Sequence, residues 1–600
     1  MKKIKIIIVS IFALTISTGA LAQAVGDKFK VGDLYYRVTS LTPTATVETT
    51  YQHDLFPHWT ETEKPTGDVV IPNSITYNEI KFEVTAIGDR SFVICTGITS
   101  IIIPESVTSI GKGAFIACNG LTSIAIPESV ALIECFAFSN CIGLTSITIP
   151  ASITSIGDGA FGGCRSLFAI YVDSCNTSYT AEDGVLFNHN KTKIINYPPR
   201  KTGTSYTIPE SVTSIGYGAF SCCYDLTSII ISTSVILIEE WAFQDCASLT
   251  SITIPESVTS IGNGAFFKCT SLTSFTIPPL VTSIEKATFA FCTGLASINI
   301  PGSITSIGEE AFWSCYNLTS INIPESVTSI GGSAFNDCSS LTSINIPESI
   351  TSIEVYTFSN CSSLTSINIP ESVTSIGDGA FMECNSLTSI TIPESITSIG
   401  MALFFGCNSL TSIAIPESVT SIGAIAFMEC NSLTSIKIPE LVTSIGNRAF
   451  RNCTGLTSIV TNIPNPVSVS LGYEVFLGIP KGTDPNACAL YVPEGSVELY
   501  ENAEQWQDFM PYIGTTNIEE ITQANIIIYP NPANDILNIK SDTPILSFEI
   551  YDALGRLVQS ETEMYSTESA VNVSSLTRGI YFIRLHTTNS TAEYKVVIEK

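Results

Sequence analysis

Cysteine is the residue whose spacing first suggests chemistry. Cysteines fall at 95, 118, 141 and 164, then at 223 and every 23 residues to 453, and a phenylalanine sits three residues before each, from Phe92 to Phe450. Regular thiols raise three possibilities: disulfides, a metal site or nucleophiles. In a stacked repeat, neighbouring thiols would lie about 5 Å apart. That is within bridging range, but stacked Cβ vectors point the same way, which is poor disulfide geometry. The ladder cysteines are therefore expected to be small buried hydrophobes with a weak S–H donor. Cys135, Cys175, Cys222 and Cys488 fall outside the ladder and are where a disulfide would be sought. No C-x-x-C pair occurs and histidine partners are missing, so neither zinc nor another cofactor is expected.

Catalysis finds little to work with. The four histidines are His53, His58, His189 and His586, so residues 190 to 585 contain no imidazole base for a Ser or Cys nucleophile. His53 and His58 flank Asp54 beside Trp59, a pattern that suits a loop surface. Glu239-Glu240 and Glu309-Glu310 are adjacent carboxylates, which suit solvated turns better than paired acid and base. The chain is not expected to be an enzyme, and a hydrolase is only a third reading.

Two periodic surface features suit binding. Asn299, Asn322, Asn345 and Asn368 recur at 23-residue intervals, with Thr253, Thr276 and Thr391 at the same position of other copies. Such a column offers aligned amide donors and acceptors to a polymer, or is simply a polar solvent face. Glutamate follows proline at 105, 128, 210 and 256, and then at Glu325, Glu348, Glu371, Glu394, Glu417 and Glu440. A row of carboxylates would attract basic patches or divalent cations in a salt-dependent way, or serve solubility and edge protection. No EF-hand spacing accompanies it. Trp313, with Trp241, Tyr217, Tyr224 and Tyr316, lies near the Phe-Cys segment, where rings could stack on sugars.

Charge narrows the partners further. Acidic residues outnumber basic ones 55 to 27, for a net charge of −28 over 600 residues. Between Ala287 and Ile436 there is no Lys or Arg and there are twelve Asp and Glu. Phosphate binding needs clustered Lys and Arg, so nucleic acid is excluded as a partner.

The elements that must position these residues are short and repeated. Leu318 to Ser340 is a clean copy of the unit Leu-Thr-Ser-Ile-x-Ile-Pro-Glu-Ser-Val-Thr-Ser-Ile-Gly-x-x-Ala-Phe-x-x-Cys-x-x. Leu318, Ile321 and Ile323 have the L-x-x-L-x-L spacing of a leucine-rich repeat strand, with residue 322 outward. Pro324 ends the strand, Gly331 is expected to permit a tight turn, and Val327, Ile330 and Phe335 point inward. One unit cannot bury its apolar face alone, so the units must stack into a solenoid. The expected fold is a leucine-rich repeat solenoid of 23-residue units, each a β-strand plus a turn or short helical segment, followed by a small all-β sandwich.

The flanks divide the chain. Lys2, Lys3 and Lys5, the apolar run Ile6 to Ile16 and Ala20-Leu21-Ala22 have the order of a secretory signal, so residues 1–22 are expected to be cleaved. Residues 23–91 would cap the first coil and 92–459 would form the solenoid, with a stretched unit at 171–206. A capping repeat at 460–513, a polar linker at 514–525 and a sandwich at 526–600 would follow.

The recurring Ile-Pro-x-Ser-Val-Thr-Ser-Ile-Gly and Ala-Phe-x-x-Cys resemble the BspA-like leucine-rich repeat surface proteins, over roughly Val69 to Tyr512. The tail carries Tyr529-Pro530-Asn531-Pro532, Gly555-Arg556 and Gly579-Ile580-Tyr581. It resembles the type A C-terminal sorting domain of the type IX secretion system, known from Bacteroidetes. These resemblances imply handling by that machinery, export across the outer membrane, and release or attachment at the surface. The BspA-like resemblance also implies adhesion to host matrix proteins or other cells as the function, while the asparagine column and the exposed rings make polysaccharide binding the alternative.

Overall fold

A computed structural model describes residues 24–42, 44–50, 64–482, 487–509, 512–515, 526–529, 536–552, 556–587 and 591–598. The expected signal at 1–22, His53 and His58, most of the linker, Pro530-Asn531-Pro532 and Gly555 lie outside those residues. The chain forms two compact units. One ends in Leu490 and Leu499–Pro511; the other takes Tyr491–Glu498 and the chain from Tyr512 onward.

The first unit is a solenoid in which each copy contributes the same three sides. The first side is a short strand such as Ser320–Ile321, paired in parallel with Ser343–Ile344 of the next copy. Pro324 stops it, and its carbonyl accepts from the Val327 N–H at 3.0 Å to close a turn. A second strand, Ser329–Ile330, pairs in parallel with Ser306–Ile307 of the previous copy. The Ala-Phe-x-x-Cys segment makes the third side entirely from turns. Its backbone also forms a ladder, with the Phe312 N–H donating to the Ala334 carbonyl at 2.8 Å.

Side chains stack as strictly as the backbone. Leu318, Ile321, Ile323, Val327, Ile330, Phe335 and Cys338 are all buried. The Phe335 ring lies 5.4 Å from Phe312 and 5.6 Å from Phe358, with interplanar angles of 6° and 2°. Gly331 does not have the left-handed backbone that a tight turn would ask of it. Its need is close approach: a Cβ there would sit 2.7 Å from the Gly308 carbonyl carbon of the coil before. Left-handed residues occur instead at Ser333 and Asp337, two and six positions later.

The ends of the solenoid are modified copies. Gly67–Val70 pairs in parallel with Ile98–Ile102, and Ala86-Ile87 pairs with Ser109-Ile110. The region before residue 92 therefore already holds the repeat's register, with the hairpin of Ser74–Tyr77 and Ile80–Ile87 built into it. At the other end Phe476 extends the ring column, 5.8 Å from Phe450. Trp506 and Phe509 then close it, 4.8 and 5.3 Å from Phe476. Within the stretched copy Tyr197 takes the phenylalanine position, 5.2 Å from Phe220, after an inserted hairpin of Tyr179–Glu182 and Val185–Asn188.

The tail of the second unit is all β. Ile536–Asp552 and Leu557–Asn572 form a long hairpin whose register breaks between Lys540 and Ile545. Before the break the first strand pairs with Ile527–Tyr529; after it, with Gly579–Thr587, which pairs with Thr591–Ile598. Leu537 and Ile539 from before the break share one core with Phe548, Ile550, Ile583 and Val596. The bent hairpin thus folds over itself in two layers.

Candidate binding surface

Residue 322 and its equivalents point outward because the strand alternates and its neighbours Ile321 and Ile323 fill the core. Asn299, Asn322, Asn345 and Asn368 are all exposed, and Asn345 and Asn368 form a parallel bridge through their backbones. Just past the strand, Glu325, Glu348, Glu371, Glu394 and Glu417 project from the turn that proline begins, and they too are exposed.

One ion pair shows how close the two columns lie. Lys437, at the asparagine position of its copy, reaches back 2.7 Å to Glu417 of the copy before. By repeat symmetry the same offset sets Asn345 beside Glu325 and Asn368 beside Glu348. It also sets Thr391 beside Glu371 and Ala414 beside Glu394. Asn322 and Asn299 face Gly302 and Pro279 instead, so the amide and carboxylate columns overlap at only two coils. The result is one strip, acidic from Glu325 to Glu394 and neutralised at Lys437.

Trp313 is not part of this strip. It lies on the Phe-Cys side, half-buried, with its ring 4.7 Å from Phe291 and its Nε1 donating to Asp337 at 3.4 Å. There it ends a chain of edge-packed rings that runs from Trp241 through Phe267 and Phe291. Lys268 sits over two of these rings, at 5.2 and 5.6 Å. The one side-chain amide ladder in this part of the molecule is also elsewhere, at the position after cysteine. Asn408 donates to Asn385 at 3.0 Å and Asn431 to Asn408 at 2.9 Å. The amide ladder stands at 23-residue spacing in the sequence, whereas the rings at 241, 267, 291 and 313 do not all occupy one position of their copies and show no such column.

The thiol column and three of the hydroxyl columns are already engaged. Thr328 donates to the Thr305 carbonyl at 3.2 Å, Thr342 to Thr319 at 3.2 Å, and Ser326 to Ile304 at 2.7 Å. The same bonds recur copy after copy, so these groups join coils and offer little to a ligand. Cysteine does likewise: the Cys315 S–H donates to the Phe289 carbonyl at 3.2 Å and Cys338 to Phe312 at 3.3 Å. Burial pushes the Cys292, Cys384 and Cys453 thiols up to about 12. A thiol that stays protonated at neutral pH is no nucleophile. Among the described residues no three His, Cys, Asp or Glu side chains are placed to hold a metal.

Comparison with known proteins agrees with this architecture. The BspA type leucine rich repeat region matches residues 72–191, 199–318, 265–385, 305–431 and 374–479. The secretion system C-terminal sorting domain matches 527–599, which marks the chain for type IX export to the cell surface or extracellular space. No curated protein matches. Among solved structures, a leucine-rich repeat protein from Bacteroides ovatus is 27% identical, over 81% of this chain and 99% of that one, with a TM-score of 0.39. A leucine rich cell surface protein from Faecalibacterium prausnitzii is also 27% identical, over 72% of this chain and 94% of that one, with a TM-score of 0.32. With the repeat match spanning more than half its length, the chain belongs to the BspA-type leucine-rich repeat family.

Proposed function

We propose that this surface protein is an adhesin, which holds an extracellular protein of host matrix or of another cell against the acidic strip. The observation that carries the reading is the run of exposed carboxylates from Glu325 to Glu394. No Lys or Arg lies between residues 287 and 436 to neutralise it, while the thiols and the Ser326, Thr328 and Thr342 hydroxyl columns of the same coils are bonded to neighbouring coils. An uncompensated row of charge on a rigid ladder favours a basic protein surface and accelerates its encounter. Binding, and not turnover, fits thiols held protonated by burial. In this reading residues 1–22 are the export signal, 23–91 and 460–513 cap the solenoid, 514–525 link it to the tail, and 526–600 serve secretion.

Glycan binding is the second reading. It is supported by the exposed amides of Asn345 and Asn368, and weakened by Trp313, whose ring is committed to Phe291 and Asp337. The test is an array of matrix proteins and purified glycans against the secreted chain at low and high salt. Protein binding that fades with salt and weakens in the Glu348→Gln, Glu371→Gln double variant is expected. Salt-insensitive capture of glycans alone would overturn the reading in favour of the second.

A further inference from the structure

The stretched copy interrupts the solenoid's ladders together. Among the described residues, Ser155–Ile156 pairs only with the coil before it, and Lys193–Asn196 only with the coil after it and with its own hairpin. The Ile156 N–H, which would bond a next coil, goes instead to the Tyr179 hydroxyl at 2.7 Å. The Gly163 N–H goes to the Ser221 hydroxyl at 3.2 Å, across the gap. Tyr217 spans the same gap, with its ring 5.6 Å from Phe136 in edge-to-face contact.

A cavity of about 50 Å³ lies in this break, lined by Asp158 and Gly159 on one side and by Lys193, Asn196, Gly216 and Tyr217 on the other. Asn196 is only 5% exposed, yet its Oδ1 has no hydrogen-bond partner. A buried amide oxygen left unpaired is costly, and such groups are nearly always satisfied by protein, water or ligand. Beyond Asp158 and Tyr217 the cavity adjoins an open trough that Glu239, Glu240 and Glu285 line above Leu237. Lys193 is the one cation, and it is held by Glu239 at 2.6 Å. Asp158, Glu240 and Glu285 are left without a cationic partner among the described residues.

We infer that this break receives the ammonium group of a lysine side chain from the partner protein, a conclusion that rests on the adhesin reading and names a contact for it. The space is right: about 15 Å³ suffices for one water-sized group, so the cavity has room for an ammonium and a water or two. The chemistry is right as well. An ammonium has three donors and no acceptor, to match an unpaired amide oxygen and uncompensated carboxylates. The lysine stem is aliphatic and would lie along Leu237, and the Tyr217 ring offers a face for the cation. A divalent metal is the poorer occupant, because no three carboxylates converge.

The test uses the full chain and a capped Gly-Lys-Gly peptide, titrated by calorimetry and by saturation-transfer NMR beside its norleucine counterpart. The lysine peptide is expected to bind, with at least tenfold loss in Asp158→Asn and in Asn196→Leu and no change in Glu501→Gln, an exposed carboxylate outside both surfaces. Asp158 is exposed, so its variant reports even if Asn196→Leu fails to fold. Equal binding of the norleucine peptide, unchanged affinity in Asp158→Asn, or calcium binding lost in that same variant would each overturn the inference. If the lysine peptide binds here while the protein array is silent, the adhesin reading fails and this site stands. Matrix binding indifferent to Asp158→Asn has the opposite meaning.

Discussion

Replacing Phe335 by alanine measures what holds the solenoid together. The ring is fully buried and stacked on both sides, 5.4 Å from Phe312 and 5.6 Å from Phe358. Removing a buried phenylalanine costs about 3–5 kcal/mol, in which the loss of each ring pair accounts for about 0.5–1.5 kcal/mol. A working value is about 4 kcal/mol. Solenoid stability is a sum over nearest-neighbour interfaces, so the loss divides between the coils of Phe312 and Phe358 and fades beyond them. At about 1.4 kcal/mol per factor of ten, local opening would rise by nearly three orders of magnitude. Hydrogen exchange read coil by coil is the assay. Phe405→Ala is the control: that ring is next to the column residue Phe404 in sequence but only half-buried on the turn side. It should change exchange by less than about 1 kcal/mol. The reasoning is refuted if Phe335→Ala loosens all coils equally, or costs no more than Phe405→Ala.

Three further outcomes follow from the same ladders. The Cys292, Cys384 and Cys453 thiols have pKa values above those of the unfolded chain, so their contribution is intact below pH 9 and is lost as pH rises toward about 12. Thermal melts should therefore fall steeply above pH 9, by about 1.4 kcal/mol per thiol per pH unit, and a flat profile from pH 9 to 11 would contradict this. Gly331→Ala forces a Cβ against the backbone of the preceding coil and should cost about 1–3 kcal/mol in denaturant titration. Gly302→Ala meets nothing within 4 Å and should be neutral or slightly stabilising. Leu441, 56% exposed, stands where other copies place the serine that donates to the preceding coil. Leu441→Ser should restore that bond to the Val419 carbonyl and raise stability by about 0.5–1.5 kcal/mol, visible as a higher melting temperature.

A repeat of 23 residues with invariant inward positions leaves little freedom, and so the solenoid, its thiol column and the outward asparagine and glutamate columns were all legible from residue order. Each position faces the same environment in every coil, and apolar alternation alone separates inside from outside. The export tail was legible for a different reason, its short motifs of turn and strand. What the sequence left undecided are the relations between columns, because spacing along the chain says nothing of reach between coils. Lys437 touching Glu417, Trp313 withdrawn onto Phe291, and the close approach that makes Gly331 necessary all depend on how one coil lies on the next. The break at residues 171–206 is the sharpest case. Its sequence shows only a loss of register, and just the folded chain, by bringing Asp158 and Tyr217 across a gap in the ladders, leaves the Asn196 Oδ1 buried without a hydrogen-bond partner.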